Sequence, residues 1–255
     1  MKIVVCYKNV PEEQEIKVKA DHTLDFSKAA WKIGQYDLNA MESATALAAK
    51  EAGSEIIFLT VGGDVVDNSK QKKAALSRGA GRLVGVMDPA LTYADTHTTA
   101  SVIKTAIEKI GDVDVVVFGE GSGDIYAQQT GSVAGALLGW ATVNGVQGIE
   151  LEAGKLELSR GVEDGIEILE ASLPAAISVT SDINVPRIPS MKDILAAGKK
   201  PVEIWSLDDV NTALESVTEV VSILAPDVTE RRQIIIEGDS EDNIETLYQY
   251  MRKIL

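Results

Sequence analysis

Val113-Asp114-Val115-Val116-Val117-Phe118 is the clearest buried strand in the chain, and it breaks into Gly119-Glu120-Gly121-Ser122-Gly123-Asp124. A short β-branched run that ends on glycine reads as a strand covered on both faces. The pattern then predicts a helix from about Ile125 to Leu138. Working outward, Ile3 to Tyr7, Glu55 to Val61 and Leu83 to Met87 read as further buried strands. Between them lie helical stretches: Asp37 to Ala52, with Asp37 as its N-cap, Asp64 to Arg78, and Tyr93 to Ile110. Gln14 to Lys19 alternates like a half-exposed strand. Strand and helix in alternation predict an α/β fold with a Rossmann-like, mostly parallel sheet.

The pattern changes after Trp140. Val143 to Leu151, Lys155 to Ser159 and Ile166 to Ala171 read as an antiparallel extension of the same sheet, and Ala175 to Val179 as another core strand. Asp182 to Pro201 is irregular apart from a short helix at Met191 to Ala197. Residues 1–205 are thus expected to form one nucleotide-binding domain, and 206–255 a C-terminal arm. Residues 208–255 hold eleven acidic and four basic residues. Their final helix, Ser240 to Leu255, carries Ile244, Leu247, Tyr248, Met251 and Leu255 on one face. That face packs either on a partner subunit or back on its own domain; the spacing fits both.

Composition narrows the function. The 255 residues include 24 Lys and Arg against 39 Asp and Glu, a formal charge of −15. Such a chain repels nucleic acid and anionic membranes. One cysteine and two histidines predict neither an internal disulfide nor a metal site. The N-terminus runs directly into a strand pattern, and no apolar run reaches the ~18 residues of a membrane span. A cytoplasmic location is the expectation.

The loop Gly119 to Asp124 is the most informative place for chemistry. Glycines allow close approach to a ligand, and backbone amides before a helix suit a phosphate. Gln128, Gln129 and Thr130 would add neutral hydrogen-bonding groups. Cys6-Tyr7-Lys8, Thr60-Val61-Gly62-Gly63 and Gly34-Gln35-Tyr36-Asp37 could meet the same crevice at the carboxyl ends of the strands. A Gly-rich strand-to-helix turn can equally be only a turn. Cys6 reads as a small core residue. No P-loop, G-x-S-x-G or H-E-x-x-H pattern occurs, so the residues alone describe a nucleotide-binding α/β protein with no catalytic side chain.

Arg160 to Thr180, RGVEDGIEILEASLPAAISVT, resembles the signature of the electron-transferring flavoprotein beta subunit: Arg160, then Glu163-Asp164-Gly165, Glu167, and Pro174 before aliphatics. The opening VVCYKNVPEEQEIKV resembles that family's first strand, lysine and proline. GSGDIYAQQTG resembles its nucleotide loop, with Asp124, Gln129 and Gly131 in matching places. Asn184-Val185-Pro186-Arg187 with Lys199-Lys200 resembles its partner-recognition region, and the ending ERRQIIIEGD resembles the FixA-like branch.

The resemblance implies an adenine-nucleotide alpha-hydrolase-like sheet, paired with an alpha subunit that carries a redox-active FAD. The beta site holds AMP in simple members and a second FAD in electron-bifurcating ones. FAD is the favoured cofactor here and AMP the alternative. By position, the pocket would use Cys6, the turn Gly34-Gln35-Tyr36-Asp37, Val61, and Gly121-Ser122-Gly123-Asp124-Ile125-Tyr126-Ala127-Gln128-Gln129-Thr130-Gly131-Ser132. Gly123→Val is expected to weaken cofactor retention. Asn184, Pro186, Arg187 and Met191 would face an acyl-CoA dehydrogenase or related oxidoreductase, with Met191 where the family has an anchoring leucine. NADH is an implied electron source in bifurcating members. Two positions depart from the family: Gly34-Gln35 replaces Asn-Pro, and Glu120-Gly121-Ser122 replaces Arg-Gln-Ala. The competing readings are a structural AMP-binding subunit and a stand-alone adenine-nucleotide-binding protein.

Overall fold

The computed structural model describes residues 1–214, 218–227 and 233–253. The chain opens with β1 (Lys2–Cys6), followed by four short strands, β2 (Asn9–Pro11), β3 (Lys17–Val18), β4 (Leu24–Asp25) and β5 (Trp31–Ile33). Then come α1 (Gln35–Lys50), β6 (Glu55–Gly62), α2 (Ser69–Leu76), β7 (Arg82–Met87), α3 (Thr96–Ile110), β8 (Val115–Gly119) and α4 (Thr130–Leu138). Three long strands follow, β9 (Ala141–Glu152), β10 (Lys155–Val162) and β11 (Gly165–Ser172), and then β12 (Ala175–Val179). The described chain finishes with α5 (Met191–Ala197), β13 (Val202–Trp205) and α6 (Glu241–Arg252).

Nine of these strands form one sheet in the order β11-β10-β9-β12-β8-β1-β6-β7-β13. From β9 to β13 every pairing is parallel, and β9-β10-β11 is an antiparallel meander. Alternation along the central strands sends side chains to two cores. Ile3, Val5, Phe58, Val115 and Val117 pack with Ala40, Met41, Ala44 and Leu47 of α1 and Leu76 of α2. Val4, Cys6, Ile57, Leu59, Val116 and Phe118 pack with Val102, Ile103 and Ile107 of α3 and Ala134 of α4. Helices on both faces explain why these strands read as unbroken apolar runs rather than alternating ones. The meander instead buries Leu156, Leu158 and Ala171 on one face and leaves Ile166 and Ile168 exposed on the other.

Several boundaries differ from the sequence reading. The stretch Asp64 to Arg78 is a 3-10 turn at Asp64–Asp67 and then α2, because the Asn68 side chain accepts the Lys70 and Gln71 amides and starts the helix afresh. Within Gln14 to Lys19 only Lys17 and Val18 pair, and Glu13–Glu15 is a 3-10 turn. Asp95 caps α3, so that helix begins at Thr96 rather than Tyr93. Strand β13 lies just beyond the irregular Asp182 to Pro201 stretch, in residues given no element from the sequence, and pairs with β7. Ser240 caps α6 as its N-terminal residue. Glu230-Arg231-Arg232 of the quoted ending, and Leu255 of the apolar face, lie outside the described residues. No helix among the described residues is long and apolar enough to cross a membrane.

Candidate functional site

Adjacent strands β1 and β8 send the chain in opposite directions. From β1 it crosses through α1 to β6; from β8 it crosses through α4 to β9, beyond β12. The crevice outside their carboxyl ends is therefore a topological switch point, where open α/β sheets take ligands. Cys6 ends β1 and Gly119 ends β8.

Asp37 occupies the floor of this crevice. It is not the N-cap of α1, as the sequence suggested; Gly34 is, and Asp37 sits buried in the first turn. Its Oδ2 accepts the Lys8 amide at 2.8 Å. Two glycines make room for it: a Cβ at Gly34 would lie 2.6 Å from Oδ2, and one at Gly119 would lie 2.7 Å from Oδ1. One carboxyl thus ties together the end of β1, the end of β8 and the start of α1. Burial pushes its pKa up to about 7, against the pull of the Lys8 and Gly119 amides and the Lys8 charge. Burial, and then Asp37, also raise the Cys6 thiol, which suits a core residue and not a nucleophile.

The segment after Gly119 is not helical. The helix expected from Ile125 begins at Thr130, because Tyr126 and Gln128 take left-handed φ angles of 51° and 57°. Side chains hold this loop. The Lys8 ammonium pairs with Asp124 Oδ2 at 2.6 Å, and Asp124 Oδ1 accepts the Ile125 amide at 2.8 Å. Burial opposes ionisation of Asp124, but Lys8 and Ser122 outweigh it and hold the carboxyl below its usual range. Tyr126 donates to Glu120 at 3.2 Å, and its ring packs on Tyr36 with centroids 5.4 Å apart. The same ring lies over Gly121, where a Cβ would meet it at 2.4 Å. Gly123 does not need its glycine for a left-handed φ, and the nearest protein atom to a Cβ there is Val10 Cγ2 at 4.0 Å.

Helices α2, α3, α5 and α6 each carry a side-chain cap, from Asn68, Asp95, Ser190 and Ser240. Helices α1 and α4 have none. Both uncapped starts, Gln35-Tyr36 and Thr130-Gly131-Ser132, border the same crevice. Their first-turn amides are the kind of donors that a phosphate oxygen satisfies. Gly131 lets α4 approach β8, since a Cβ there would press on the Phe118 ring at 3.1 Å.

The structure thus brings Cys6, Gly34 to Asp37 and Gly121 to Ser132 to one edge of the sheet. Val61 is one strand further on, near the end of β6. Asn184, Pro186, Arg187 and Met191 lie elsewhere, along the outer side of α1 and at the start of α5. Asn184 bonds into α1, and the exposed Arg187 lies along it. Asn39 Nδ2 donates to the Asn184 carbonyl at 2.9 Å, Asn184 Nδ2 donates to Ser43 Oγ at 2.8 Å, and Arg187 Nε donates to Glu42 at 2.6 Å. The exposed apolar groups of that loop are Val185, Ile188, Met191 and Leu195.

Sequence reasoning put Tyr7 and Lys8 near the crevice but missed Lys8 as a loop clamp, and it missed Asn9 and Thr180. The Tyr7 hydroxyl, both polar atoms of the Asn9 side chain and Thr180 Oγ1 are buried without a hydrogen-bond partner among the described residues. Tyr7 and Asn9 follow β1, and Thr180 follows β12. A lone Tyr or Thr beside a strand end carries no signal of this.

These features fit a phosphate group. Two helix starts have no side-chain cap, glycines bring backbone to the crevice, and Thr180 has an unused hydroxyl beside Glu120, whose amide donates to the Val179 carbonyl at 2.9 Å. The model of the electron transfer flavoprotein domain matches residues 22–210, nearly three quarters of the sequence. That span holds α1, the loop after β8, the start of α4 and the whole meander. The chain belongs to the electron transfer flavoprotein domain family.

Proposed function

We propose that the chain is the beta subunit of a heterodimeric electron-transferring flavoprotein. In this reading it holds an adenine-bearing cofactor at the β1–β8 switch point and passes electrons between NADH or an acyl-CoA dehydrogenase and other acceptors. The observation that carries the reading is the pair of uncapped helix starts, α1 and α4, meeting at one crevice. The amides of Thr130, Gly131 and Ser132 would take the phosphate, and the Gly34 to Asp37 turn would border it. FAD is the proposed cofactor, with AMP the alternative. A flavin held there supplies the redox chemistry, while this chain's own residues bind, orient and set charge.

Partner dependence has support in two places. Helix α6 leaves Ile244, Leu247, Tyr248 and Met251 about half exposed, and the α5 region leaves Ile188 and Met191 bare. A stand-alone protein seldom leaves such faces uncovered. We assign residues 206–255 to an arm that covers the alpha subunit, and the Asn184 to Met191 region to docking of the dehydrogenase.

The test is to purify the chain with its partner, denature it and identify what is released. Two FAD per heterodimer are expected. One FAD with one AMP would make this a structural AMP-binding subunit without bifurcation. Release of no adenine compound would remove the reading.

Two substitutions probe the loop. Gly121→Val should lower bound nucleotide several-fold, because the new side chain evicts the Tyr126 ring and reorders residues 120–129. Gly123→Val should change it little, since its Cβ enters open space. Nucleotide content per chain, measured by chromatography after denaturation, checks both; equal loss in the two variants would contradict this loop geometry.

A further inference from the structure

The hairpin β3–β4 is too small to hold itself. Its strands are two residues each, paired Lys17 to Asp25 and Val18 to Leu24, and no residue from 17 to 26 is buried. A two-stranded ribbon without an apolar floor is marginal in water. Its support comes from the far end of the sequence. Residues 218–227 lie against it in antiparallel sense: Thr23 bridges Leu224, and the Ala225 amide donates to the His22 carbonyl at 2.9 Å. Pro226 follows and has no amide to continue the ladder. His22 Nε2 lies 3.4 Å from Asp227 Oδ1, an exposed contact of little strength. At its other end the segment is tied to a helix. Asp95 uses Oδ1 to cap α3, and its Oδ2 accepts both the amide and the hydroxyl of Thr218, at 3.1 and 3.0 Å. Between the two ties, Val220 and Ile223 line a cavity of about 310 Å³ with Thr23, Leu24, Phe26 and Tyr93.

We infer that residues 218–227 are a strap for which the β3–β4 hairpin is the dock, and that the two order and release as one unit. No residue of either segment is buried, so neither offsets the entropy of its own ordering. The strap gives the hairpin a third strand, and Leu24, Phe26 and Tyr93 give Val220 and Ile223 an apolar surface. Asp95 supplies the rigid end, since it caps a helix whose Val102, Ile103 and Ile107 lie in the core. Segments that gain their contacts only from each other open together. The strap also narrows the partner reading above, on which this last step alone rests. The arm leaves its own domain after Asp227, and α6 is the part left to cover the alpha subunit.

Hydrogen exchange of the full chain, read by mass spectrometry, tests the coupling. Ile223→Asp should speed exchange of peptides spanning residues 17–25 about fivefold, although the substitution lies at the other end of the sequence. Thr218→Val deletes the hydroxyl bond and leaves the Asp95 cap of α3 in place; it should speed the same peptides about threefold with α3 unchanged. Leu24→Asp should speed exchange of residues 218–227 in return. Unchanged exchange in β1 and β8 shows that each variant is folded. Thr23→Cys with Leu224→Cys, closed by oxidation, should instead slow both segments, because bridged residues stand within disulfide reach. Hairpin exchange that none of these substitutions moves, or that is already unprotected in the parent, would overturn the coupling. The closed double variant should still form the heterodimer. If it fails while the parent succeeds, the strap must leave its dock to meet the alpha subunit, and the narrowing is wrong. A parent that forms no heterodimer would remove the partner reading and leave the strap standing.

Discussion

Gly119→Ala should lower the unfolding free energy by about 3 kcal/mol, the largest effect expected of any one-carbon change near the crevice. Gly119 is the last residue of central strand β8. A Cβ there would lie 2.7 Å from the Tyr36 carbonyl carbon, 2.8 Å from the Asp37 amide nitrogen and 2.7 Å from Asp37 Oδ1. Two of those three atoms are backbone of the first turn of α1, which is pinned below by Ala40, Met41, Ala44 and Leu47 in the core. A flexible side chain could swing aside, but a packed helix start cannot. The strand must slip or the helix must lift, and either breaks the Asp37 tie to Lys8. Gly34→Ala is the useful contrast. Its closest contacts are side-chain atoms of Asp37, with Oδ2 at 2.6 Å, and the nearest backbone atom is 3.6 Å away, so its cost should be smaller. Urea unfolding of the three proteins gives the ranking. An unchanged midpoint for Gly119→Ala would mean that α1 does not approach β8 as closely as described.

The same contact explains which parts of the molecule were legible in the sequence. Strands β1, β6, β8 and β12 were readable because a strand buried on both faces needs an unbroken apolar run, and such runs are rare outside cores. Their order was not readable, since β12 pairs with β8 and β9 through contacts far apart in the chain. The start of α4 was misread because Tyr126, Ala127 and Gln128 are ordinary helix formers. Only their place between Glu120, Tyr36 and the Lys8–Asp124 pair forces two left-handed residues there. Asp37 was read as a cap because an acid before an apolar helical face is the usual cap signal. That it sits one turn in and bonds to another strand depends on Gly34 and Gly119 being bare, which no local pattern announces. The two glycines of the loop were also indistinguishable in sequence. Gly121 faces an aromatic ring and Gly123 faces open space.

Asp37→Asn should give a protein whose stability relative to the parent depends on pH across the range from about 4 to 7. In the folded chain burial holds the Asp37 pKa up at about 7, whereas an unfolded aspartate titrates near 3.9. Between those values the folded state binds the extra proton, so stability falls as pH rises. The contribution is complete below about pH 4 and gone above about pH 7; its full size is on the order of 4 kcal/mol. Asparagine cannot titrate and so removes this slope. It carries its own penalty, because one oxygen that accepted or tolerated a backbone N–H becomes an NH2 donor, costing about 1–2 kcal/mol at every pH. The variant should thus be the weaker protein at pH 4, draw level as pH rises, and be the more stable one at pH 8. Carboxyls held below their usual range, such as Asp124 and Glu42, impose an opposite slope on both proteins, so the difference between the two urea curves is the quantity to plot. The Lys8 charge lowers the Asp37 midpoint and the Asp124 charge raises it, so Lys8→Met should carry the slope to higher pH and enlarge the difference between the two proteins at alkaline pH, while the pH at which they draw level, set by the unfolded aspartate and the asparagine penalty, stays where it was. A constant offset between parent and Asp37→Asn from pH 4 to 8 would show that Asp37 titrates as an ordinary surface acid. The carboxyl would then not be the buried tie between β1, β8 and α1 on which the shape of the crevice depends.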